Sequence, residues 1–159
     1  MSVRRREADA VVKLVAAELV GQQLQDIERR DHDWLFSFDT GIRLQTVCPW
    51  RVLTEQRIAL GDSDHRQQFG LPAPIDGALR GKELLLGRTI QQIAIRENTG
   101  DLTIAFDGGT SLEILNMSSG YEGWHMFQLP FGQGFQVISM GGGQLALWGV
   151  NSQKADDKR

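Results

Sequence analysis

Cysteine is almost missing from this chain: Cys48 is the only one in 159 residues. A single thiol excludes an intramolecular disulfide and any cysteine-based zinc site built from this chain alone. A reducing cytoplasm is therefore the expected home. Charge of one sign is also missing. Lys and Arg number 17 against 20 Asp and Glu, a net charge of -3, so no positive field exists to recruit nucleic acid or an anionic membrane. The acidic residues form no long run either, which argues against mimicry of nucleic acid. No hydrophobic run approaches the roughly 18 residues of a membrane span. The opening "MSVRRREADAVVKLVAAELVG" has a basic start and an apolar sequel, but Asp9, Lys13 and Glu18 interrupt the sequel and no small-residue cleavage site follows. A secretory signal is not expected.

Catalytic signatures are scarce in the same way. There is no G-x-S-x-G nucleophile elbow and no glycine-rich phosphate loop. The glycines near 132–135 and at 141–143 lack a strand-to-helix setting, so they read as turns or bulges and not as a dinucleotide site. Cys48, in "TVCPWR", reads as a small buried hydrophobe with no histidine at hand. No metal and no cofactor are expected.

What is present is an ordinary globular composition, 41% hydrophobic and 23% charged, in a length that suits one domain with a sizeable core. Within it the chain is written twice. "LVGQQLQDI" (19–27) answers "LLGRTIQQI" (85–93), and "WLFSFDTGIRL" (34–44) answers "LTIAFDGGTSL" (102–112). The offset grows from 66 to 68 because "ERRDHD" is two residues shorter than "AIRENTGD". Surface hairpins tolerate such a difference easily. An internal duplication is the reading, against coincidence between two hairpins of one type.

Each copy reads as β-structure. Trp34, Phe36 and Phe38 alternate with smaller neighbours, as do Leu102, Ile104 and Phe106. "DTG" and "DGG" supply residues that accept positive φ and close hairpins, so Asp39 and Asp107 are read as turn formers and not as a carboxylate dyad. "QLQDIE" and "TIQQIAI" alternate as first strands, "IRLQTV" and "TSLEIL" follow the hairpins, and "RIALG", "FQVISM" and "QLALWGV" come last. The expected fold is mainly β with minor α: two duplicated antiparallel β-meander halves related by pseudo-two-fold symmetry. Helical spacing of Val11, Val12, Val15 and Leu19 predicts an N-terminal helix over 3–20, lying across the sheet or contacting another chain. The linker 66–84 begins extended at Pro72 and Pro74 and holds a short helix over 75–84 despite Gly77 and Gly81. One globular domain is expected over 1–151, with half one at 19–65, half two at 85–150 and a flexible tail at 152–159.

Candidate site residues fall in two loops. "GDSDHRQQFG" offers Asp62, Asp64 and His65, hard or borderline ligands whose spacing nevertheless fits neither a calcium loop nor a hydrolytic zinc site. Asp31, His32 and Asp33 form a second such cluster at an expected hairpin tip and read as a solvated turn. "SSGYEGWHM" offers Tyr121, Glu122, Trp124 and His125, the aromatic and polar mixture that binding hot spots favour. Trp124 corresponds to Trp50 of "CPWR", and both read first as core plugs. If "WHMFQL" is a strand, His125 shares a face with Phe127 and Leu129 and reads as a core histidine.

With "WLFSFDTG", "CPWR" and "SSGYEGW" located, the chain resembles a family of short bacterial proteins known only as a domain of unknown function, with paired β-rich halves and an S-x-Y-(E/S)-x-W segment. The resemblance covers about residues 19–128. It implies an immunity or interaction role, because proteins of this look occur beside polymorphic toxins, and it defines no catalytic residues. The N-terminal helix and the linker stand outside the shared pattern. The expected function is non-enzymatic protein binding to a toxin or to a second copy as a homodimer. The alternative is a small-molecule or metal site, or an enzyme, with Asp62, Asp64, His65, Tyr121 and Glu122 around a cleft between the halves.

Overall fold

A computed structural model describes residues 3–130 and 132–148. The expected tail at 152–159 and the end of the last strand at 149–150 lie outside the described residues. The chain begins with helix α1 (Val3–Leu19) and continues with strands β1 (Leu24–Arg29), β2 (Trp34–Phe38), β3 (Ile42–Thr46), β4 (Trp50–Thr54) and β5 (Arg57–Gly61). Helix α2 (Gly77–Leu85) opens the second half. It is followed by β6 (Ile90–Ile95), β7 (Leu102–Phe106), β8 (Thr110–Ile114), β9 (Trp124–Gln128), β10 (Gln136–Ser139) and β11 (Leu145–Trp148).

These strands build two antiparallel sheets, ordered β1-β2-β3-β9-β10-β11 and β5-β4-β8-β7-β6. The meander of each half, read from the sequence as about four strands in a row, therefore stops after three. β4 leaves its own meander and pairs with β8 of the other half, while β9 returns the exchange by pairing with β3. Each sheet is a three-stranded meander from one half completed by strands of the other. A single core of buried side chains from both sheets and both helices fills the space between them.

The two helices follow the same reciprocal rule. α1 packs on β6 and α2 packs on β1. Each ends just before a glycine at positive φ, Gly21 at 90° and Gly87 at 80°, which lets the chain turn out of the helix into its first strand. So α1 and α2 stand in equivalent places, each ahead of the first strand of its half and packed on the first strand of the other. α1 buries Val11, Val15 and Leu19 against the core. α2 starts on Asp76, whose carboxylate accepts from the Leu79 N–H at 3.1 Å. Gly77 and Gly81 are what bring α2 down: a Cβ at Gly81 would stand 2.7 Å from Ile27 Cδ1, and one at Gly77 would stand 3.0 Å from the Trp34 ring.

The first strands do not alternate. Leu24 and Ile27 are both buried with two exposed residues between them, and Ile90 and Ile93 repeat this pattern. A register shift explains it: pairing slips between Leu24 and Asp26 and between Ile90 and Gln92, leaving Gln25 and Gln91 as bulges. The hairpins after β2 and β7 are as read. Thr40 and Gly41 have φ of 58° and 77°, Gly108 and Gly109 have 70° and 72°, and two positive φ values in succession define a tight type I′ connection. The Asp39 carboxylate does not cap its own turn but ties the hairpin to the start of β1, accepting from the Gln23 N–H at 3.1 Å.

Candidate functional site

The exchange of strands creates two crossovers, Val47–Pro49 and Leu115–Gly123, which run side by side. The Leu115 N–H donates to the Pro49 carbonyl at 2.9 Å, and Cys48 Sγ lies 3.7 Å from Asn116 Oδ1. Asn116 anchors the second crossover: its N–H donates to Asp101 at 2.8 Å, and its Nδ2 donates to the Thr99 carbonyl at 2.9 Å and the Ser139 hydroxyl at 2.5 Å. Cys48 is buried, and burial pushes its thiol pKa up, so it is a packing residue and not a nucleophile.

The second crossover is six residues longer than the first, and the extra length is a fixed turn. Ser118 Oγ accepts from the N–H groups of Gly120 at 3.1 Å and Tyr121 at 2.8 Å. The Ser118 carbonyl accepts from Gly142 at 3.0 Å, and Gly123 donates to the Ser139 carbonyl at 2.8 Å. The backbone is thereby held while Tyr121 projects, 84% exposed. Trp124 goes the other way. It is fully buried and donates from Nε1 to the Gly100 carbonyl at 2.8 Å, while Trp50 plugs the equivalent place after the first crossover. Trp124 is core, and a partner cannot touch its ring.

Of the other candidates in this segment, Glu122 and His125 join Tyr121 around one open cleft of ≈ 470 Å³, shared with Gln45, Val47 and Gly123. His125 is not a core histidine. β9 buries Trp124 and Met126, so His125 lies on the outer face of its sheet, opposite Gln45 of β3 and Ile138 of β10 and 5.0 Å from the Phe127 ring. Its Nε2 is sequestered without a hydrogen-bond partner. Burial pulls the imidazole pKa down, against the opposing effects of a Gln136 hydrogen bond and the Glu122 charge. The sequence reading missed Val47, 62% exposed in the same cleft as Tyr121, and Met117, 75% exposed on the second crossover. Val47 had a signal: it continues the outward set Arg43, Gln45 of β3, where an apolar residue breaks the polar face.

Asp62, Asp64 and His65 lie elsewhere. Asp62 and His65 line a second cavity of ≈ 420 Å³ with Arg29, Arg30, Asp31, Trp34 and Arg66, and no residue is common to the two cavities. The expected joint site of these residues with Tyr121 and Glu122 is not formed. Asp64 serves its own turn by accepting from the Gly61 N–H at 2.9 Å. His65 Nδ1 accepts from the Gly77 N–H at 2.9 Å at the start of α2, and its ring meets Trp34 edge-on at 5.3 Å. Asp33 is not a solvated turn residue. Arg30 grips it with two nitrogens at 2.6 and 2.7 Å, Gln45 adds a bond at 2.6 Å, and these contacts hold its carboxyl below the usual range, Arg30 first. Among the described residues, no three His, Cys, Asp or Glu side chains converge as metal ligands would. No described helix is long and apolar enough to cross a membrane.

No curated protein and no solved structure matches this chain. The model of one family does, over residues 15–149, from the last part of α1 past the last described residue of β11, so both interlocked halves and the linker, which was expected to stand outside the family pattern, lie inside the match. The chain belongs to the Family of unknown function (DUF6188).

Proposed function

We propose that this protein is a non-enzymatic binding domain of the bacterial cytoplasm whose docking surface is the crossover patch of Val47, Met117, Tyr121, Glu122 and His125. One observation carries the reading: Tyr121 is 84% exposed on a turn whose backbone is held by Ser118. An aromatic side chain displayed on a fixed backbone loses little entropy on binding, which is how a small patch becomes a hot spot. Val47 supplies apolar area in the same cleft, Met117 adds exposed apolar surface on the second crossover, and Glu122 supplies charge. The fitting partner presents an apolar pocket for the tyrosine and a Lys or Arg for Glu122. The resemblance to proteins found beside polymorphic toxins suggests its class, a toxin domain neutralised by being bound.

The test is a pull-down from the native host with the wild type, Tyr121→Ala, Glu122→Lys and the remote control Arg80→Ala. A partner held by wild type and control, and lost from both patch variants, supports the reading. The same partners in all four, or none at all, would sink it.

Self-association is a second reading, favoured by apolar side chains on the outermost strands: Ile58 on β5 is 62% exposed and Trp148 on β11 is 52% exposed. Unprotected sheet edges invite pairing. Light scattering on the purified chain distinguishes the two, since Ile58→Lys would return a dimer to monomer and leave the pull-down intact.

A further inference from the structure

Besides their crossovers, the two halves differ at the end of each first hairpin. In the second half the space is closed. The β6–β7 loop carries two more residues, and a Cβ at Gly100 would stand 3.7 Å from Gly143 Cα of the β10–β11 turn. Asn116 and Ser139 seal the contact with the hydrogen bonds already described. In the first half the shorter β1–β2 loop faces residues 62–66, and the space between them remains the ≈ 420 Å³ cavity.

That cavity holds charges of both signs that have not neutralised one another. Arg30 is spent on Asp33, whose charge Arg29 also feels, but the β1–β2 end with Arg29 and Asp31 and the facing segment with Asp62 and Arg66 each carry both signs, and these four form no ion pair among the described residues. Arg29 is positioned: its guanidinium carbon lies 5.4 Å from the Trp34 ring centre, and Nη1 donates to the Asp33 carbonyl at 2.7 Å. Arg66 is placed by a backbone at φ 71°, in the left-handed region that residues other than glycine rarely occupy, and its N–H is tied to the Ile75 carbonyl at 2.8 Å. His65 and Trp34, locked against the start of α2, form the wall.

We infer that this cavity is a binding site for a small zwitterion of the free α-amino-acid type. Guanidinium forks take its carboxylate, a geometry for which arginine is suited, and the unpaired aspartates take its ammonium. An anion alone would leave Asp31 and Asp62 facing it uncompensated, and a cation alone would do the same to Arg29 and Arg66. The volume lies within the range of small-ligand clefts, about 300–1,000 Å³. The site is separate from the crossover patch and does not depend on it.

The experiment is a nitrogen-15 NMR titration of the full chain that follows the Arg side-chain Nε–H and the Trp34 indole signals. The probes are pools of free amino acids, their N-acetyl derivatives, their amides and inorganic phosphate. Free amino acids from at least one pool should shift the Arg29, Arg66 and Trp34 signals, and removing either terminal charge should weaken binding by about tenfold or more. Arg66→Gly, which suits the positive φ and so keeps the fold, should lose the response while its amide spectrum stays that of the wild type. Equal binding of phosphate or of the N-acetyl forms would reduce the site to an oxyanion site and overturn the inference. So would silence of these signals in every pool, or an unchanged response in Arg66→Gly.

Discussion

Trp124 Nε1 donates to the Gly100 carbonyl at 2.8 Å inside the core, fastening the strand after the second crossover to the β6–β7 loop. Trp50, in the same place after the first crossover, is as deeply buried, yet its Nε1 has no acceptor. The shorter loop explains the difference. Arg30 closes on Asp33 where Arg96 closes on Asp101, so the chain has no carbonyl to offer where Gly100 stands in the other half. Trp50 is held instead by edge contacts with Trp34 and Phe36, at 4.9 and 5.4 Å between ring centres.

That asymmetry separates two substitutions of equal size. Trp50→Phe removes ring volume together with an N–H that has no acceptor, whereas Trp124→Phe leaves the Gly100 carbonyl buried without its donor. The second variant should be less stable than the first by about 1–3 kcal/mol, the cost of an unsatisfied buried polar group. Urea unfolding of the two variants checks this. Equal losses would mean that the indole bond contributes nothing.

The β4–β5 hairpin carries more left-handed strain than the other two-residue turns, with no glycine at either position. Its turn residues Glu55 and Gln56 both have positive φ, 51° and 65°, where the other two-residue turns use glycine at one or both positions. Left-handed backbone costs a residue with a Cβ about 1–2 kcal/mol, and Asn and Gly much less. Replacing Glu55-Gln56 by Asn-Gly should therefore raise stability by about 1 kcal/mol, after allowance for the extra freedom glycine gives the unfolded chain. A higher urea midpoint at unchanged slope is the expected result, and no gain would show that the turn is not strained.

The strand set was largely legible because alternation is a local property: β2, β5 and β7 begin and end where the pattern of Trp34–Phe38, Arg57–Gly61 and Leu102–Phe106 places them. The correspondence of Trp50 and Trp124 was legible too, since each follows a bend into a strand. What pattern could not show was which sheet β4 and β9 would join, because pairing is settled between residues such as Trp50 and Ile114 that lie far apart in the chain. The bulges at Gln25 and Gln91 hid the first strands' inward face for a related reason: one extra residue turns alternation into a period of three. His125 was misplaced because its strand is amphipathic by shape more than by polarity, with Phe127 outside and Met126 inside. Asp31, Asp62 and His65 of the Arg66 cavity stood out in the sequence, but nothing there showed that the two clusters meet. The cavity is made by a missing piece of loop.

The plug that closes the second half can be tested through its glycines. Gly109 and Gly143 both have positive φ, 72° and 82°, at matching turn positions. A Cβ at Gly109 would meet open space, while one at Gly143 would overlap the Asn98 carbonyl and the Thr99 backbone. Gly109→Ala should cost about 1–2 kcal/mol from backbone conformation alone. Gly143→Ala carries that cost and must also push the β6–β7 loop away, so its melting midpoint should fall further. Hydrogen exchange should quicken in residues 96–101 of the Gly143 variant and stay unchanged there in the Gly109 variant. Matching behaviour would mean that the turn and the loop do not press on one another.

His125 ties the crossover patch to pH. Burial lowers its pKa in the folded protein, so below the ordinary imidazole value of about 6.5 the unfolded chain binds a proton that the folded chain resists. Stability therefore rises with pH through this window. The contribution is complete above about 6.5 and is lost progressively as pH falls toward the lower folded value. His125→Gln keeps a polar side chain against Phe127 and removes the titration, so its melting midpoint should change less than that of the wild type between about pH 7.5 and 5.5. The same neutral imidazole leaves Glu122 as the charge of the patch at neutral pH, and a partner that pairs with Glu122 should release as His125 gains its proton. Parallel melting curves for wild type and variant across that range would show that the histidine is not held neutral by the fold.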